Sequence, residues 1–348
     1  MALTLADLYA SPDHYLQRFD GDAAVFVPMD RAAYHRSIFL DARISPAAPQ
    51  EMRLPVAMLR DPPPARATAW IFHVAHCGST LLARALDSLA GALVLREPQA
   101  LRQTAFGPDP ARLALVTAML GRRYRDDAPT LVKTNVPVNF LLPELTGAQP
   151  DARAILLYLP LRDYVLAILR SDSHRAWLRR VTTDLAPHLG DLAGAPDAVR
   201  AARLWSAQMT RFAAALAAWP NARSLDAERF FAAPGEVLRA AAHQLALPLE
   251  DRWLEQVAAG ELFATYSKNP AQAFDNAARI ARRAALEREL APELALAEAS
   301  AGDLLDAHAV APAALMKAAK SLRHEAEASG KDRVSLDLGG RGSSNRAG

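Results

Sequence analysis

Trp70-Ile-Phe-His-Val-Ala-His-Cys-Gly-Ser-Thr-Leu-Leu-Ala-Arg84 changes its period midway. Thr68–Val74 (TAWIFHV) is apolar and β-rich and predicts a buried strand, whereas Gly78–Leu89 has the apolar spacing of a helix. A tight turn through Gly78 joins the two and puts Ser79 and Thr80 in the first helical turn. Backbone N–H groups at a helix start have no partner within the helix and point outward, and the helix dipole adds partial positive charge. The junction therefore predicts an anion site at the carboxyl end of a central strand, with the Ser79 and Thr80 hydroxyls as further donors. An ordinary strand-to-helix turn, capped by the same two side chains, is the competing reading.

Working outward, the alternation continues. Short apolar runs at Ala92–Leu95, Thr130–Lys133 and Ala152–Leu159 alternate with helical stretches at Pro110–Arg123 and Pro137–Thr146. That rhythm predicts an α/β fold, a three-layer parallel sheet with helices on both faces. From Leu161 the chain reads as helical, with one strand at Ala222–Leu225. Trp205, Met209 and Phe212 share one face of the helix around Val199–Trp219, as core packing requires. The proline-rich Asp61–Ala65 cannot be regular structure. Residues 1–65 are thus expected to form an N-terminal extension of short mixed elements, residues 66–330 one α/β domain, and 331–348, ending GGRGSSNRAG, a disordered tail.

Composition narrows the function classes. The chain has 348 residues, 51% hydrophobic and 22% charged, enough for a sizeable core. Forty basic residues against 38 acidic ones leave a net charge of +2, too balanced for a nucleic-acid coat or an anionic membrane partner. A single cysteine, Cys77, excludes an internal disulfide framework and fits a reducing compartment. No apolar run is long enough to span a bilayer and the N-terminus lacks a signal-peptide pattern, so a cytoplasmic protein is expected. The nine histidines lack metal-site spacing, so no metal is expected.

The loop is not a Walker A motif, which would require glycine at His73 and lysine at Ser79. Without that lysine the usual grip on β- and γ-phosphates is gone, which argues against an ATP-dependent phosphotransferase. Ala75-His-Cys-Gly-Ser-Thr-Leu-Leu82 resembles instead the phosphosulfate loop of sulfotransferases, written PxSGTTxL or PRSGSTLL. Three further segments agree in order. Leu95-Arg-Glu-Pro98 is similar to the second-strand ending of bacterial members. Val132-Lys-Thr-Asn-Val-Pro137 is similar to the KTHLP segment of cytosolic ones. Ser224–Leu249, with Glu228, Pro234 and HQLALPL, is similar to the "YEDL…P…FLGLP" stretch. The resemblance runs from about Trp70 to Pro248 and implies a sulfotransferase-like, P-loop kinase-like sheet.

It also implies 3′-phosphoadenosine 5′-phosphosulfate as the co-substrate, a sulfuryl group passing to a hydroxyl or amine of a small acceptor, and a loop of Cys77, Gly78, Ser79, Thr80 and Leu81 holding the phosphosulfate. His76 stands where the family has a basic residue, and it can donate to the leaving group or simply cap the strand. Lys133 matches the KTH lysine and offers a cation near the transferred group. Asn135 replaces the family's histidine base, so Glu97 is the substitute candidate, with His174 behind it. Leu159 and Ala167 fall where the family's 3′-phosphate arginine and serine belong. A shifted register would use Arg162 with Arg170 or Ser171, and a C-terminal grip could come from Tyr266-Ser-Lys268 and from Arg279, Arg282 and Arg283. Those departures favour an alternative, a non-catalytic nucleotide- or anion-binding protein on the same fold. Cys77 as a nucleophile is the least favoured reading.

Overall fold

The structure, a computed structural model, describes residues 3–107 and 109–307. Five strands form a parallel sheet: β4 (Thr68–His73), β5 (Val94–Arg96), β6 (Thr130–Lys133), β7 (Arg153–Tyr158) and β8 (Ala222–Asp226). Their spatial order is β5-β6-β4-β7-β8. Every residue of β4 and β6 is buried, which is why these strands read as continuous apolar runs rather than alternating ones. Helices flank the sheet: Ser79–Ala85 packs on β4, β5 and β6, Pro234–Gln244 on β7, and Asp197–Ala218 on β8. The α/β class and its parallel sheet are as the sequence predicts.

The strand order positions the site. From β4 the chain crosses beyond β6 to form β5, and from β6 it passes over β4 to form β7. The carboxyl end of β4 is therefore a topological switch point, where a crevice opens between diverging connections. The segment 74–78 leaves the sheet at that point.

Residues 1–65 are built into the domain more tightly than an extension implies. β1 (His14–Asp20), β2 (Ala23–Pro28) and β3 (Met52–Pro55) form a three-stranded antiparallel sheet in the order β1-β2-β3. Leu8, Tyr15, Phe26 and Tyr34 belong to the same buried cluster as Trp70 and Leu156. Two buried guanidiniums tie the parts together. Arg96 on β5 donates to the carbonyls of Tyr34, His35 and Ser37, and Arg122 to those of Leu8, Ser11 and His14.

The remaining differences are local. The predicted helix Pro137–Thr146 is a 3₁₀ turn, Val136–Leu141, followed by the helix Leu142–Ala148. The C-terminal half holds a second β element besides β8, a hairpin of β9 (Thr265–Tyr266) and β10 (Asn269–Ala273). β9 is only two residues long, and β10 (NPAQA) lacks the β-branched and aromatic enrichment that marks a strand in sequence. Trp205, Met209 and Phe212 are buried core, as expected. Among the described residues no helix is long and apolar enough to cross a membrane, and no group of three His, Cys, Asp or Glu could hold a metal ion. The tail 331–348 lies outside the described residues.

Candidate active site

β4 ends with Val74 N–H bonded to Leu157 O at 3.0 Å, and the chain then turns back through two left-handed residues, His76 (φ 61°) and Gly78 (φ 83°). Glycine is required at 78 by space as well as by backbone. A Cβ there would sit 2.7 Å from Cζ of Phe231, inside the closest approach of real side chains. Gly78→Ala is expected to cost about 1–3 kcal/mol of stability from strain and overpacking, read as a lowered thermal midpoint. Histidine tolerates the left-handed region better than most side chains, which is consistent with its place at 76.

The helix that follows, Ser79–Ala85, has only seven residues, and Leu82 N–H is its first donor to a carbonyl behind it, that of Gly78. The amides of Ser79, Thr80 and Leu81 are left unclaimed by the helix itself. Two turns sum few peptide dipoles, so the grip on an anion would come from these local donors more than from a helix field. Thr80 is 2% exposed, yet its Oγ1 has no partner, and the buried Nε2 of His76 has none either. Buried polar atoms are usually paired, and two orphans in one loop are free to meet a ligand there.

Both atoms belong to residues that line a cavity of about 500 Å³, within the range of ligand sites. One wall is the loop from His76 to Leu81. Leu159, Leu166 and Ala167 give an apolar side, together with Phe231, Phe274 and Leu286. Five cations reach the cavity from three elements: Arg170 from the end of the helix Leu161–Leu169, Lys268 from the hairpin, and Arg279, Arg282 and Arg283 from the helix Asn276–Glu289. Arg279 is held by Glu228 at 2.7 and 2.9 Å, and Arg283 by Asp163 and Glu228, both at 3.0 Å. Among the described residues Arg170, Lys268 and Arg282 have no carboxylate partner. The cavity therefore carries three positive charges that a ligand could neutralise.

Lys268 stands at the turn of the β9–β10 hairpin, which Arg84 of the loop helix anchors by donating to Ser267 O at 2.7 Å. Although Lys268 is exposed as a residue, the protein around its ammonium, followed by the charge of Lys133, lowers its pKa. An anion bound beside it would relieve both effects. Replacing Lys268 by Met is expected to weaken binding of an anionic nucleotide about ten- to hundredfold, the loss of one charge-assisted hydrogen bond, measured by titration calorimetry.

The sequence-predicted site residues divide into two groups. His76, Cys77, Gly78, Ser79, Thr80, Leu81, Arg170, Ser171 and Lys268 all line this cavity, as do Leu159 and Ala167 of the unshifted register. Arg162 does not: it is exposed and paired with Glu287 at 3.0 Å and Glu298 at 2.9 Å. Lys133 and Glu97 lie outside the lining too, because they neutralise each other. Lys133 Nζ pairs with Glu97 Oε1, while Asn135 Nδ2 donates to Oε2 at 3.1 Å. Burial would raise the Glu97 pKa, but the Lys133 charge, with His73, the Lys133 hydrogen bond and Lys268, holds it well below the usual carboxylate range. A carboxylate so stabilised is a weak base.

The same electrostatics act on His76. Burial, with the charges of Lys268 and Arg170, keeps its pKa well below the ordinary value, so it is neutral at neutral pH. It offers a hydrogen bond or a lone pair, not an imidazolium. Cys77 is fully buried, its Sγ donates to Val74 O at 2.9 Å, and burial pushes its pKa up to about 11, which removes the nucleophile reading. His73 is structural, its ring nitrogens 2.8 and 2.9 Å from the carbonyls of Val74 and Thr134. Unforeseen in the sequence are the carboxylate of Asp163, the role of Glu228 in fixing two arginines, and the aromatic wall of Phe231 and Phe274. Only Glu228 carried a signal, its place in the segment after β8.

No protein-family model and no curated protein matches the chain. Among solved structures it is similar to a sulfotransferase from Alicyclobacillus acidocaldarius, at 15% identity over 68% of this chain and 96% of that one, with a TM-score of 0.38. At that TM-score the likeness is loose, and nothing about this chain's family or site rests on it.

Proposed function

We propose that the protein is a sulfotransferase-like enzyme that takes a sulfuryl group from 3′-phosphoadenosine 5′-phosphosulfate and passes it to a hydroxyl or amine of a small acceptor. The observation that carries this reading is the cavity itself, in which an unclaimed amide loop and an orphan threonine hydroxyl share a wall with three uncompensated cations. A site of that make-up favours a ligand with several negative charges. The amides of Ser79, Thr80 and Leu81 with the Thr80 hydroxyl would hold the phosphosulfate. Arg170 with Ser171, Lys268 and Arg282 would balance the remaining phosphate charge, in the shifted register and the C-terminal grip that the sequence allows. Hydrogen-bond donors preorganised around the sulfuryl oxygens would stabilise charge as it develops there.

Titration calorimetry with adenosine 3′,5′-bisphosphate tests the reading. Micromolar binding that weakens steeply with added salt is expected, since exposed charges are screened. Absence of binding at high micromolar nucleotide would overturn it.

A non-catalytic nucleotide-binding protein is the second reading, and the mutual neutralisation of Lys133 and Glu97 favours it. It prevails if the protein binds the bisphosphate but never releases bisphosphate and sulfate, or a sulfated product, from the phosphosulfate.

A further inference from the structure

The base candidate that stands behind Glu97 in the sequence lines the cavity. His174, at the start of the helix Asp172–Asp184, meets His76 edge-on, with ring centroids 4.1 Å apart. Its Nε2 lies 3.2 Å from Arg170 Nη2, and its Nδ1 bonds to Ser171 Oγ. A guanidinium can only donate, so Nε2 must carry the lone pair. The ring proton is then on Nδ1 and is donated to Ser171 Oγ, whose own hydrogen can point to Ser173 Oγ at 3.1 Å. The tautomer is fixed by its neighbours: a neutral imidazole with its basic nitrogen directed at an arginine.

We propose that His174 is the proton acceptor of this site, and that Arg170 caps its Nε2 until a phosphate of the bound nucleotide draws the guanidinium away. The inference rests on the nucleotide reading above. Arg170 is free to move because no carboxylate holds it, and a phosphate offers it two acceptor oxygens in place of one imidazole nitrogen. The groups facing His174 are His76 from the loop, Arg170 from the end of the helix Leu161–Leu169, Lys268 from the hairpin and Arg282 from the helix Asn276–Glu289. Burial, with the charges of Arg170, Lys268 and Arg282, brings its pKa down to about 4, too weak a base for work near neutrality. A bound polyanion removes the cap and offsets the other two charges.

In the transfer step the acceptor's O–H proton goes to Nε2 and the oxygen's electron pair forms the new O–S bond. The bridging S–O bond breaks, and its pair stays on the phosphate oxygen of the departing nucleotide. Base strength would thus be available only when the sulfuryl donor is in place.

Nitrogen-15 histidine NMR of the full chain, with the His174 signal assigned by its loss in His174→Gln, tests this directly. The probe is adenosine 3′,5′-bisphosphate. In the wild type at saturation the His174 pKa is expected to rise by about one unit or more, with the Nε2 lone pair retained at neutral pH. In Arg170→Met the pKa should already be raised without nucleotide, and saturating nucleotide should add clearly less than in the wild type, through Lys268 and Arg282 alone. His174→Gln should bind the bisphosphate within about threefold of wild type, since a base is not a phosphate ligand. An unchanged pKa in the nucleotide-bound wild type overturns the proposal. So does an equally large shift in Arg170→Met, which would make the effect one of ligand charge alone, or a tenfold loss of affinity in His174→Gln. Failure of the wild type to take up the nucleotide is a separate result that removes the proposed function, and this inference with it.

Discussion

A chain shortened to begin at Arg66 is expected not to fold. The reason lies in two arginines on the retained side of that boundary. Arg96, 1% exposed, donates to carbonyls at 34, 35 and 37, with distances of 2.6 to 3.2 Å, as well as pairing with Asp87. Arg122, 5% exposed, has carbonyl partners at Leu8, Ser11 and His14, each within 2.8 Å, and only Met119 O on its own side. Truncation removes the carbonyl partners of both guanidiniums, leaving Arg96 with Asp87 and Arg122 with Met119 O, and each hydrogen bond lost from a buried charged group costs about 1.5–3 kcal/mol. It also exposes the faces of the common core that Tyr15, Phe26 and Tyr34 cover. Against a total stability of about 5–15 kcal/mol for a domain, these losses are decisive. Circular dichroism and a thermal melt of the truncated chain provide the check. A cooperative transition within a few degrees of the full chain would show residues 1–65 to be a true appendage.

That boundary also shows where sequence reading reaches its limit. The parallel strands were legible because burial on both faces makes them apolar runs, and Thr130–Lys133 coincides with β6 residue for residue. The three-stranded N-terminal sheet was not placed on the domain, because what places it is a set of carbonyls meeting arginines about 60 to 110 positions away in the chain. Carbonyls leave no mark on a sequence. In the site, the loop was legible through its change of period and its glycine. Arg162 was misplaced for a geometric reason: eight residues along a helix leave a turn of about 80° between it and Arg170. One guanidinium therefore reaches Glu287 and Glu298 while the other enters the cavity. The pairing of Lys133 with Glu97 was hidden because the two residues sit on different strand ends, brought together by the register of β5 on β6.

Lys133→Met is expected to destabilise the protein by about 3–5 kcal/mol at pH 7, and to reverse how its stability responds to acid. Lys133 is 1% exposed and its ammonium faces a carboxylate that the fold also holds through the Asn135 amide and a left-handed backbone at Glu97. Methionine fills the volume but removes the nearest cation of Glu97, leaving only the half-exposed Arg43, 4.0 Å away, to pair with it. In the wild type the Glu97 pKa in the folded state lies below that of the unfolded chain, about 4.3. Its contribution is therefore present in full above that unfolded value and is lost as pH falls through the folded one. In the variant, burial is no longer outweighed by Lys133, so the folded pKa moves upward and past the unfolded value. Protonation then favours the folded state, and the variant should gain stability as pH falls from 7 towards 4, while the wild type stays level and then loses it. Urea denaturation at pH 7, 5.5 and 4 measures both curves. Parallel curves would mean that Glu97 is not paired as the structure has it. Converging ones would show that the lysine matching the sulfotransferase segment serves here to keep a carboxylate charged, leaving Arg170, Lys268 and Arg282 as the cations available to a nucleotide.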